Sequence, residues 1–183
     1  MPLADELVDH ASRLLAAPAI AKIDCRRAVS ASNYAVFHLL SDAVGTQVSP
    51  PTPPGMSGRI QRLLGHRPMR DAMAPFRDSK KWSDFSIDLG IPCIFSPDLA
   101  VIAQLYAELQ DARHLADYDV IDAKGTVDLS WATDCLDKAK LAFDAWSRVK
   151  YTDEARLFLA TLIPVSSGRT ALSHCRKSSK QEA

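Results

Sequence analysis

The sequence predicts an all-α protein, an up-and-down bundle of four to six helices. Three observations carry this. Apolar residues recur at helical spacing over long stretches. Those stretches are rich in Ala, Leu, Asp and Lys with few β-branched runs, and Gly is scarce, 7 in 183 residues, a composition that favours helix over strand. Prolines and turn formers gather between the periodic stretches, where they break helices.

Residues 3–17 form the first expected helix, with Leu3, Leu7, Ala11, Leu14 and Leu15 on one side, interrupted at Pro18. Residues 20–45 form a second, longer one, for which Gly45 is the expected stop. The Pro-rich stretch 46–56, "TQVSPPTPPGM", cannot be a helix interior and reads as a loop. A short helix begins at Ser57, and "RPMRDAMAPF" adds a turn or two before Pro75. Residues 77–97, with turn formers, a Lys pair and scattered aromatics, read as an irregular insert. Ser96 is placed to cap the next helix and Pro97 suits its first position, so a helix is expected to about Ala116. Asp128 caps a helix over 129–149, with Ala132, Leu136, Ala139, Phe143 and Trp146 on one face. A last helix, about 152–162, ends before Pro164. Residues 1–163 are therefore expected as one bundle, and the polar, basic stretch 164–183 as a disordered tail.

Lys and Arg total 22 and so do Asp and Glu, a balance that does not by itself suggest a nucleic-acid binder. The charge is segregated, however. Residues 59–81 hold seven basic and two acidic groups, and residues 82–155 hold six basic and fourteen acidic. The basic run Arg59, Arg62, Arg67 and Arg70 reads first as a solvated face, and Trp82, Phe85 and Phe95 as loop anchors. The four cysteines, Cys25, Cys93, Cys135 and Cys175, form no C-x-x-C pair and lie near no histidine cluster, so no metal or other cofactor is expected. No apolar run reaches the roughly 18–20 residues of a membrane span, and the N-terminus lacks a signal-peptide core. A cytoplasmic protein with reduced thiols is the simplest expectation.

One arginine breaks the pattern. Leu99, Ile102, Tyr106 and Leu109 lead in helical steps to Arg113, then to Ala116, so a charge stands where a core residue belongs. The second helix repeats the oddity: Arg27, Ala31, Tyr34 and His38 lie at i, i+4, i+7 and i+11 and share a face. Interior polar groups need partners. Asp117, one turn from Arg113, is a candidate, as are Tyr34 and His38 across the bundle.

The stretch "RRAVSASNYAVFHLLSDAV" resembles the helix of HEPN domains that reads roughly R-x-A-x-S-R-A-Y-Y-A-x-F-H-A, through Arg27, Val29, Ser30, Asn33, Tyr34, Ala35, Phe37 and His38. "ARHLADYD" resembles the R-x-x-A-D-Y signature of one HEPN branch through Arg113, Ala116, Asp117 and Tyr118. The resemblance covers roughly residues 3–150. It implies a helical bundle, usually a homodimer. Members include metal-independent ribonucleases, toxins paired with small nucleotidyltransferases, and inactive RNA-binding or scaffold modules. Ribonuclease members carry a histidine five to seven residues after the arginine; here positions 118–120 are Tyr, Asp and Val, and His114, directly after Arg113, points about 100° away on a helix. Metal-free RNA cleavage needs a base near neutrality, which histidine supplies, and a cation at the phosphate, which arginine supplies. The resemblance therefore implies an RNA-binding or protein-interaction module of a toxin–antitoxin or defence system, with a nucleotidyltransferase-type antitoxin as a partner. Its alternative is a ribonuclease using Arg113 with His38 or Tyr118. The expected site is Arg113, Asp117 and His38 for any chemistry, with Arg27, Tyr34 and Tyr118 binding substrate. For Arg113 the plainer reading is a structural arginine held by Asp117.

Overall fold

The computed structural model describes residues 2–48, 56–89, 96–119, 121–122 and 125–164. Among them every regular element is helical: α1 (Leu3–Leu15), α2 (Lys22–Ala43), α3 (Met56–Gln61), α4 (His66–Ala72), α5 (Ser79–Leu89), α6 (Pro97–Tyr118), α7 (Leu129–Val149) and α8 (Asp153–Thr161). The all-α bundle is thus what forms, with α1, α2, α6 and α7 as its long members and the short α3–α5 in the connection between α2 and α6.

The ends of the long helices show why they begin where they do. The Asp24 carboxylate accepts from the Ala21 N–H at the start of α2. Asp128 caps α7, accepting from the Trp131 N–H at 2.7 Å, and the Thr152 hydroxyl caps α8 through the Ala155 N–H. Ser96 occupies the cap position of α6 with Pro97 following, but its side chain makes no capping bond.

Helices α2, α6 and α7 pack on one another around a single large core that includes Val29, Val36, Leu40, Leu99, Ile102, Tyr106, Leu109, Ala139 and Trp146. Helix α1 lies against α2 and α7 through a smaller cluster in which Ala11, Ala28 and Ala31 meet Leu136. Alanines on facing positions let the helices approach closely. Helix α8 closes the core with Phe158, Leu159 and Leu162, all fully buried.

Two expectations are corrected. Gly45 does not stop α2. The helix widens into a π-helical segment, Val44–Val48, and a Cβ at Gly45 would stand 2.9 Å from the Gln61 amide nitrogen. The glycine lies where α3 comes close, and a larger residue there would displace the Gln61 side chain. The stretch 77–97, read as irregular, holds α5. Its missed start signal is Asp78, whose carboxylate accepts from the Lys80 and Lys81 N–H groups. Trp82 and Phe85 do anchor this region, both packing on Phe76 at ring separations of 5.2 and 5.9 Å. Phe95, most of the Pro-rich stretch (49–55) and the tail from 165 onward lie outside the described residues. Among the described residues no helix is long and apolar enough to cross a membrane.

Candidate functional site between the second and sixth helices

Helices α2 and α6 run antiparallel, and a ladder of polar contacts fixes their register. Lys22 Nζ meets Asp122 Oδ2 at 2.9 Å. The Arg26 guanidinium donates to the carbonyls of Ala116 at 2.6 Å and Asp119 at 2.7 Å. The Ser30 hydroxyl donates to Asp117 Oδ1. Arg113 Nε donates to Asp117 Oδ2 at 3.0 Å, and its Nη2 donates to the Tyr34 hydroxyl at 2.9 Å. The Arg113 guanidinium also lies over the Tyr34 ring, 4.5 Å from its centroid, a cation–π arrangement.

The rungs on α2 fall at every fourth residue: 22, 26, 30, 34. Four residues overshoot a helical turn by about 40°, so the stripe winds around α2 as it climbs. This is why Tyr34 belongs to it and Arg27 does not. Arg27 is exposed and makes no ion pair or side-chain hydrogen bond among the described residues. It lines an open cleft of about 550 Å³ with His10, Arg26, Ser30, Tyr34 and Asp117. Arg113 is 16% exposed and Asp117 30%. An anion approaching Arg113 meets a guanidinium with Nε already on the Asp117 carboxylate and Nη2 on the Tyr34 hydroxyl.

Of the six residues expected at the site, Arg113, Asp117 and Tyr34 are brought together. His38 stands one turn beyond Tyr34 with their rings 6.4 Å apart. It lines a different cleft of about 650 Å³, formed with the first turn of α1 and with α3, and it does not bond Arg113. Tyr118 does not join the site; it is 66% exposed and its ring contact is His114.

Two participants were not foreseen. Arg26 is one; its signal was its place four residues before Ser30 and eight before Tyr34. His66, from the start of α4, is the other, and no local pattern marks it. Its ring stacks on Phe37 at 4.0 Å and meets Tyr34 edge-on at 5.0 Å. The Tyr106 hydroxyl lies 3.5 Å from His66 Nδ1 and 3.3 Å from its carbonyl oxygen. Burial first, then the Arg113 and His38 charges, push the His66 imidazole down to about 4. Burial likewise lowers His38. Both rings are therefore neutral at neutral pH.

This has a consequence for stability. His66 takes up a proton in the unfolded chain near its ordinary value of 6.5 and in the fold only near 4. Its contribution is fully present above about pH 6.5 and is lost as the pH falls toward about 4. A shift of this size corresponds to about 3 kcal/mol if fully expressed, and solvent at the half-buried ring reduces that to roughly 1–2 kcal/mol. Urea unfolding of wild type and His66→Phe at both ends of this window should show a smaller acid loss in the variant. Equal losses would remove His66 as the cause.

Compared with protein-family models, curated proteins and solved structures, the chain matches none.

Proposed function

We propose that this chain is a HEPN-like RNA-binding or protein-interaction module, not an efficient nuclease. It acts as a homodimer whose α2 and α6 lie at or near the interface, in a toxin–antitoxin or defence system with a nucleotidyltransferase-type partner. One observation supports the RNA-binding reading above all. The Arg113 guanidinium, 16% exposed, is held by Asp117 and Tyr34, which both line an open cleft, and a guanidinium that pairs with a carboxylate there suits a phosphate equally well. Asp117 is then an internal competitor that keeps affinity low.

Among the described residues no base stands beside Arg113 for cleavage. His38 lines a different cleft and makes no bond to Arg113, Tyr118 stands outside the site, and His66, pushed down to about 4, is a weak proton acceptor at neutral pH.

Binding of a short RNA should weaken roughly tenfold in Arg113→Ala, as for loss of one charge-assisted contact, and should strengthen in Asp117→Asn. Both affinities should fall with added salt. Affinity indifferent to Arg113 would leave the arginine a structural residue. Rapid metal-free cleavage by wild type, lost in Arg113→Ala and His38→Ala, would install the ribonuclease reading instead.

A further inference from the structure

We infer that anion binding at Arg113 is coupled to proton uptake by the His38–His66 pair, so that the affinity of this site rises as the pH falls. The inference rests on the anion-facing reading of Arg113 given above.

The geometry is a cluster with Tyr34 at its centre. The Arg113 guanidinium covers the Tyr34 ring, His66 meets that ring edge-on at 5.0 Å, and His38 stacks beyond it at 6.4 Å. Phe37 touches both imidazoles, His66 at 4.0 Å and His38 at 5.4 Å. Three groups able to carry positive charge thus surround one phenol. Two of them stay neutral beside the third, which cannot release its charge.

The groups facing each imidazole fix the sign. His66 faces Tyr34 and His38 on α2 and Tyr106 and Arg113 on α6. Gln110 hydrogen-bonds it and, among the described residues, no carboxylate touches it; on its own helix Arg67 pairs with Asp71 and Arg70 with Asp111. His38 shares its cleft with Asp5, Asp42 and Arg62. An anion on Arg113 offsets the charge that disfavours protonation of His66 and attracts a proton to whichever of the two rings takes it first. By reciprocity, a proton on either ring strengthens the anion's hold. The proton comes from solvent and no bond is broken. His10 lines the neighbouring cleft with Arg27.

Oligouridylate is a suitable probe because nothing in it titrates between about pH 5 and about pH 8. Its affinity for wild type should rise about twofold to tenfold over that fall, as for His66 raised from about 4 by roughly one to two units on binding. The His38→Phe/His66→Phe double variant keeps the aromatic packing and His10, and should be flat. An equal rise in the double variant, or wild-type binding without pH dependence, overturns the coupling while leaving the RNA-binding reading in place. Absence of oligouridylate binding at both pH values overturns both.

Should the variant fail to fold, histidine titration of wild type by NMR decides. Oligouridylate should raise the midpoint of His38 or His66 while His114 stays fixed. Unmoved midpoints for both overturn the coupling.

Discussion

Phe158→Ala is expected to lower the unfolding free energy by about 3–5 kcal/mol, the usual cost of emptying a buried aromatic site. Folded domains are stable by only about 5–15 kcal/mol, so this one change removes a large part of the total. Phe158 is fully buried. Its ring meets Phe76 edge-on at 4.9 Å, and Phe76 in turn carries Trp82 and Phe85 from α5. Phe158 of the short helix α8 thus joins the aromatic cluster through which α5 packs on the body of the protein. Loss of Phe158 leaves a cavity that Phe76 cannot fill without releasing Trp82. Thermal unfolding should fall by roughly 6–20 °C for a chain of this size, and Phe158→Leu should cost much less. A loss under about 1 kcal/mol in Phe158→Ala would mean that α8 is not part of the cooperative unit.

The role of Phe158 was hidden in the sequence for a physical reason. A nine-residue helix such as α8 shows too few periods for its buried face to stand out, and its aromatic partners lie some 80 positions earlier, in a segment whose own helix was missed. Asp78 and the spacing of Trp82, Phe85 and Ser86 were the signals of α5, but a charged pair and two serines masked the stripe. The long helices were legible because each shows several turns of apolar spacing, and Asp128 stood where a cap was needed.

At the site, legibility followed sequence distance. The Arg113–Asp117 pair is one turn apart and could be read from spacing alone. The Tyr34–Arg113 bond joins two helices, and it was legible because both residues interrupt apolar stripes and must find partners. Straight helical counting points to Arg27 and not to Arg26 because it ignores the drift of a four-residue ladder. His66 was invisible: its position depends on how a short helix crosses α2 and α6, which no local pattern encodes.

The sharpest test of the ladder is the contrast between these adjacent arginines. The last carbonyls of a helix have no intrahelical donor and carry the negative end of the helix dipole. At the end of α6 the Arg26 guanidinium bridges the Ala116 carbonyl in the last turn and the Asp119 carbonyl just beyond it, with the Leu115 carbonyl at 3.5 Å. Arg26→Ala removes these charge-assisted bonds and should cost about 2–3 kcal/mol. Arg26→Lys should recover only part of this, because a single ammonium cannot bridge both carbonyls as a planar fork does. Arg27→Ala, at an exposed position without a charged partner among the described residues, should cost under about 0.5 kcal/mol. Hydrogen exchange should localise the Arg26 effect to the last turn of α6, and thereby to Asp117, whose place against Ser30 and Arg113 depends on that turn. Equal costs for Arg26→Ala and Arg27→Ala in urea unfolding would show that the ladder does not set the register of α2 against α6.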